Sequence, residues 1–169
     1  MPSLSLTAVS RGEVRVREEV PADHEVWDAP DLELLDPLTI DLTGQSVGDG
    51  VLVRGNMRTR LSRECRRCLT EVTVEVNDAV DMLYEPLGIQ EEDDLSGEVY
   101  PLPERGDLLD LLPALRQELL LRVPRFVICR EECKGLCPQC GEDLNEKTCG
   151  CVPEEEAGPW DALKKIEFD

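Results

Sequence analysis

The chain has 169 residues, enough for one domain of ordinary size or a domain with a small metal-held module appended. Its 41% hydrophobic content supports a real core and excludes wholesale disorder, while a 4% aromatic share leaves that core to Leu and Val. With 37 acids against 18 bases the formal charge is −19, which excludes a broadly basic nucleic-acid coat, because phosphate binding needs a positive face.

Met1 to Ser10 lacks a basic segment followed by a long apolar one, and no apolar run approaches the roughly 18 residues of a membrane span. A cytoplasmic protein is expected. Val14 and Val16 alternate with Arg15 and Arg17 and predict a short strand; Leu38, Ile40 and Leu42 alternate with Thr39, Asp41 and Thr43 and predict another. The acidic stretch between them, with Pro21, Pro30 and Pro37, reads as loop with room for one short strand. Gly48-Asp49-Gly50 signals a turn.

The segments Val51 to Arg63 and Leu69 to Val76 flank Cys65-Arg66-Arg67-Cys68 and predict an antiparallel hairpin with the cysteines at its tip. A tip centred on the cysteines sets residue i opposite 133 − i. Met57, Thr59 and Leu61 then meet Val76, Val74 and Val72 on an apolar face, with Arg58 and Arg60 opposite Glu75 and Thr73 on a polar one. Residues 85 to 107 are acid-rich and carry Pro86, Pro101 and Pro103, the pattern of a loop. A Leu-rich helix follows over about 111–122, capped by Asp110, with Pro113 in its first turn and Pro124 stopping it. Trp160 to Phe168 has the length of one or two helical turns.

Eight cysteines in a reducing compartment suggest metal ligands rather than disulfides. Cys65, Cys68, Cys129, Cys133, Cys137, Cys140, Cys149 and Cys151 make two four-thiolate sites with none left over. Two residues between ligands let both sulfurs reach one ion, and Gly141 after Cys140 allows a tight turn whose N–H groups face the thiolates. Tetrahedral thiolate coordination points to two structural zinc ions. Proximity in sequence groups Cys137, Cys140, Cys149 and Cys151, leaving Cys65 and Cys68 to join Cys129 and Cys133. The rival partition unites the two CxxC knuckles, as in a zinc ribbon.

Six arginines, Arg54, Arg58, Arg60, Arg63, Arg66 and Arg67, stand against Glu64 alone in fifteen residues, and Lys134 sits beside Cys133. Arg54, Arg58 and Arg60 share strand parity and project from one face. Two readings stay open: pairing with acids of the neighbouring strand, such as Glu71 and Glu75, or a phosphate-contacting surface. No aromatic residue interleaves here, so stacking of single-stranded bases has no support in the sequence. No phosphate-loop, zinc-protease or serine-nucleophile motif occurs, and the sole histidine, His24, has no nucleophile near it, so no enzyme is expected. The acid run Glu91 to Asp94 reads as solvated loop rather than a magnesium site.

The order of CxxC hairpin, acidic loop, Asp-capped Leu helix and the run Cys129-Arg130-Glu131-Glu132-Cys133-Lys134-Gly135-Leu136-Cys137-Pro138-Gln139-Cys140-Gly141-Glu142-Asp143-Leu144-Asn145 resembles the YceD family, named for large ribosomal RNA subunit accumulation. Cys149-Gly150-Cys151 and Pro159-Trp160-Asp161-Ala162-Leu163-Lys164-Lys165 also look like that family, so the resemblance spans roughly residues 38–167. It implies a non-catalytic factor for synthesis, processing or stability of large-subunit (23S) ribosomal RNA. The partner is pre-ribosomal RNA or a ribosomal protein, with no membrane and no small-molecule substrate. The alternative is a redox-sensitive zinc protein that binds a protein partner without touching RNA, its basic neighbours lowering thiol pKa.

These readings predict an α+β protein: an antiparallel β-rich domain over residues 1–128, a Cys-rich zinc module packed on it over 129–151, and an acidic linker with a short C-terminal helix over 152–169.

Overall fold

The computed structural model describes residues 1–28, 32–86 and 99–151. In chain order the elements are β1 (Ser3–Ser5), the one-turn helix α1 (Leu6–Val9), β2 (Val14–Val20), β3 (Glu33–Leu34), β4 (Leu38–Val47), β5 (Gly50–Glu64), β6 (Glu71–Glu85), β7 (Val99–Pro101), β8 (Leu108–Asp110) and α2 (Leu112–Arg122). A single 3-10 turn, Glu25–Trp27, lies between β2 and β3. The fold class is α+β, a mainly antiparallel sheet with one main helix.

Strands β2, β4, β5 and β6 run antiparallel in that spatial order, and β7 adds to β6 in parallel. The edge of β5 that β4 leaves free near Leu61 and Ser62 is taken by β3. Val47 pairs with Gly50 across the expected turn, where Gly48 takes a φ of 57°. The alternation seen in the sequence decides which face is buried. Leu38, Ile40 and Leu42 of β4, Val53, Met57 and Leu61 of β5 and Val76, Val80 and Met82 of β6 are all buried in one cluster with Leu112, Leu115 and Leu119 of α2. Helix α2 packs against β6 and the 3-10 turn. It buries one carboxylate, Glu118, which accepts from the Tyr100 hydroxyl at 2.9 Å and pairs with Arg122 one turn on.

Three differences from the sequence reading have physical causes. The β5–β6 hairpin pairs residue i with 135 − i, so Leu61 faces Val74 and Arg60 faces Glu75 rather than Thr73. The tip is two residues longer than a bare CxxC: Cys65 N–H donates to Thr70 O at 2.8 Å, and Leu69 turns the chain with a φ of 60°. A slip of two in the sum preserves the parity of both strands, so each side chain keeps its expected face. The helix starts at Leu112 rather than Leu111, because Asp110 closes β8 before its carboxylate caps the Leu112 amide at 2.9 Å. The N-terminal segment adds structure that local pattern does not announce: β1 pairs with β8, Ser3 opposite Asp110.

Part of the expected acidic loop is strand, as β7. Glu91 to Asp94 and the expected helix from Trp160 to Phe168 lie outside the described residues. Among the described residues no helix is long and apolar enough to cross a membrane.

Candidate metal centres and the arginine edge

The far end of the β5–β6 hairpin is a knuckle. Cys65 N–H donates to Thr70 O, and Leu69 N–H donates back to Cys65 O at 2.9 Å. This folding aims the Arg67 amide at Cys65 Sγ, 3.5 Å away. Pro124 ends α2 by holding Val123 extended (ψ 118°), and the chain then runs back along the knuckle. Val127 bridges to Cys65 and accepts from the Arg66 amide at 2.8 Å, which delivers the Cys129 amide to 3.4 Å from Cys65 Sγ.

The sulfurs of Cys65, Cys68, Cys129 and Cys133 all lie within 4.8 Å of one another, and so do those of Cys137, Cys140, Cys149 and Cys151. The two CxxC pairs therefore sit in separate clusters, not in one ribbon-like site. All eight cysteines are free thiols. Cys65 Sγ lies 3.9 Å from Cys133 Sγ, and Cys68 Sγ lies 3.7 Å from Cys129 Sγ. The edge of a tetrahedron with metal–sulfur bonds of about 2.3 Å is about 3.8 Å, so the spacing fits a four-coordinate thiolate site. Either cluster could hold a metal ion.

The electrostatics agree. Burial alone would push the Cys65 thiol up, but the amides of Cys68, Arg67 and Cys129 bring it down to about 6. Cys137, in the same place in the second knuckle, is brought down to about 6 by the amides of Cys140 and Gln139. Cys68 is lowered too, chiefly by the Thr70 hydroxyl and amide, while Cys129 and Cys151 move the other way. Burial and the sulfurs of Cys133, Cys68 and Cys65 push Cys129 up to about 12, and the Cys140 sulfur, then burial, push Cys151 up to about 12. The knuckles thus favour thiolates at Cys65, Cys68 and Cys137 and penalise crowding further negative charge beside them, a penalty that a bound cation would remove.

The clusters differ in exposure. Cys65, Cys68 and Cys133 are buried, whereas in the second cluster only Cys137 is. They are joined through Arg67, whose carbonyl accepts from the Leu136 amide at 2.8 Å and whose guanidinium donates to the carbonyls of Cys133 (2.9 Å) and Glu131 (3.3 Å). Asn145 reaches from the second segment to the first site, its Nδ2 lying 3.6 Å from Cys133 Sγ.

The six arginines divide into two groups. On the outer sheet face Arg54 pairs with Asp81 (3.0 Å), Arg58 with Glu75 (3.0 Å) and Arg60 with Asp36 (2.5 Å), so that these three are neutralised. Glu75 is one of the two acids expected as partners; Glu71 instead accepts from Ser62. Arg63, Arg66 and Arg67 lie at the knuckle end. Lys134 is exposed beside Cys133, its amide donating to Asn145 Oδ1.

Two residues that local sequence does not connect with the island join it here. Phe126, 70% exposed, lies under the Arg66 guanidinium, 4.6 Å from its ring centroid, and Arg125 is beside it. The knuckle therefore does carry an aromatic ring, supplied from sixty residues further along the chain. His24 has a structural use: its Nδ1 accepts from the Val26 amide and caps the 3-10 turn.

The chain is thus a β-rich α+β protein ending in two joined four-cysteine knuckles. The chain belongs to the YceD family, described as large ribosomal RNA subunit accumulation protein YceD, whose family model matches residues 53–167. It is similar to an uncharacterized protein of Mycobacterium tuberculosis, 35% identical over 111 residues that cover 63% of this chain and 51% of that protein. An uncharacterized protein of Mycobacterium leprae is 30% identical over 128 residues, covering 73% and 56% of the two chains. A chloroplastic protein of Arabidopsis thaliana, named large ribosomal RNA subunit accumulation protein YCED homolog 1, is 27% identical over 128 residues, covering 60% and 40%. The chain spans about half the length of the mycobacterial relatives it matches. No solved structure matches it.

Proposed function

We propose that this protein is a non-catalytic factor supporting accumulation of large-subunit ribosomal RNA in the cytoplasm, through direct contact with precursor RNA. Structural zinc in both cysteine clusters holds the contacting edge in shape. The observation that carries the reading is the family match, which covers both knuckles and nearly all of the hairpin that carries the first of them. The charge layout supports it. The protein is strongly acidic overall and its sheet-face arginines are paired with acids, whereas Arg66 and Arg67 at the knuckle end face an aromatic ring and backbone carbonyls, so a phosphate backbone would meet their charge there. Four-thiolate sites with no open position stabilise a fold rather than do chemistry.

The test is affinity isolation of the protein from growing cells, followed by sequencing of bound RNA, with the ratio of large- to small-subunit ribosomal RNA measured after depletion. Enrichment of large-subunit precursors and a fall in that ratio are expected. An unchanged ratio, with no ribosomal RNA enriched, would overturn the proposal.

A further inference from the structure

We infer that the cleft beside the first knuckle is a seat for one unpaired RNA nucleotide, its base stacked on Phe126 and its phosphates on Arg66 and Arg125. The inference rests on the RNA-contacting reading above and specifies the form of RNA the site takes.

The cleft measures about 510 Å³, within the about 300–1,000 Å³ common for small-ligand sites. The apolar pair Phe126 and Leu69, 70% and 57% exposed, lines it together with Arg63, Arg66 and Arg125. Arg66 covers one face of the Phe126 ring. A ring so exposed with one face taken leaves the other open to a planar partner, and stacking on an aromatic ring is how single-stranded bases are held without regard to sequence. Glu33 and Glu64 also line the cleft, so the charge there is three arginines against two carboxylates. That balance admits a phosphate yet does not make a long basic track. It suits one splayed-out nucleotide better than a duplex, whose bases are stacked inside and cannot reach the ring.

Leu69 carries the argument further. Its φ of 60° is a conformation that disfavours any residue with a Cβ, and the equivalent position in the second knuckle is Gly141, with a φ of 75°. The chain thus sets an exposed apolar side chain at the one turn position where glycine is cheaper, and that side chain forms a wall of the cleft. Strain kept at an exposed surface position is the mark of a site in use rather than of packing.

The test uses the full zinc-loaded chain and a short single-stranded RNA carrying 2-aminopurine, whose fluorescence falls on stacking, beside the same RNA annealed as a duplex. The single strand is expected to bind with quenching and the duplex to bind more weakly. Phe126→Ala should weaken binding about tenfold and abolish the quench, while Phe126→Trp restores both. Arg66→Glu with Arg125→Glu should weaken binding and flatten its salt dependence. Circular dichroism and zinc content confirm that each variant is folded. Equal binding of duplex and single strand, or wild-type affinity in Phe126→Ala, overturns the cleft proposal. So does loss of a protein partner in Phe126→Ala with RNA binding unaltered, which would make the cleft a protein-docking surface. If the pure protein ignores RNA yet isolates with large-subunit precursors from cells, the cleft proposal fails while the family role stands.

Discussion

Leu69 and Gly141 occupy the same place in two knuckles. Each follows the second cysteine of a CxxC pair, each has a left-handed backbone, and each donates its amide at 2.9 Å to the carbonyl of the first cysteine. In both knuckles that first cysteine donates in turn to the carbonyl five residues on, Thr70 or Glu142. The two turns are copies in backbone geometry and differ in whether a side chain stands on the strained residue.

Replacing Leu69 by Gly should therefore stabilise the protein by about 1 kcal/mol, since a left-handed non-glycine residue costs roughly 1–2 kcal/mol and the exposed side chain gives little burial in return. In a chain of this size that raises Tm by about 2–4 °C. Thermal unfolding at saturating zinc checks it, and an unchanged or lower Tm would show that the side chain is held for packing.

Metal should leave in two steps. The second cluster, with Cys140 exposed, is the more accessible to a chelator, whereas Cys65, Cys68 and Cys133 are buried. Zinc release followed with a chromogenic chelator should show one fast and one slow equivalent. Cys140→Ser should delete the fast phase and Cys133→Ser the slow one. A single phase from the intact protein would contradict this ordering.

The docking of residues 129–151 onto the hairpin should depend on Gly135. Its φ is 76°, and a Cβ there would lie 2.8 Å from the Arg67 carbonyl, the same oxygen that accepts from Leu136. Gly135→Ala should cost about 2 kcal/mol and expose the cysteine-rich segment to protease, while the sheet core stays folded. Limited proteolysis with mass spectrometry separates that from global unfolding.

On the outer sheet face Asp41 lies between Arg15 and Arg17. The hydrogen-bonded Arg15 guanidinium, working against partial desolvation and helped by Arg17, lowers its carboxyl to about 2. A carboxylate depressed in the folded state contributes stability above its unfolded value near 4, lost as pH falls toward 2. The stability difference between the protein and Asp41→Asn should thus be constant above about pH 5, shrink as pH falls and vanish only below about pH 2, as denaturant titrations at several pH values would show. A difference independent of pH would mean that the pair adds nothing.

Short-range pattern made much of this legible. Leu38, Ile40 and Leu42 announce their strand by alternation, and the eight cysteines separate into clusters along the chain order that the sequence favours. The hairpin register slipped because the αL residue that lengthens its tip is a leucine. A glycine at position 69, as at 141, would have marked the longer turn. Phe126 was out of reach for another reason: its place beside Arg66 depends on Pro124 ending the helix and Val127 bridging to Cys65, and neither has a local signature. The same holds for Ser3 and Asp110, whose pairing is set by packing across most of the chain.

Cys65 and Cys133 lie 68 residues apart in sequence and their sulfurs 3.9 Å apart in space. Strand β6, helix α2 and the segment bearing Phe126 all fall within the loop those thiolates close. The sheet and helix have an apolar core of their own, but the knuckle end has only a small cluster of Cys65, Cys68 and Cys133 with Val72 and Leu136. An ion held by the four thiolates of this cluster would fasten the meeting of the Phe126 ring with the Arg66 guanidinium, a contact across 60 residues of chain. During synthesis that clasp would close only once Cys133 has emerged.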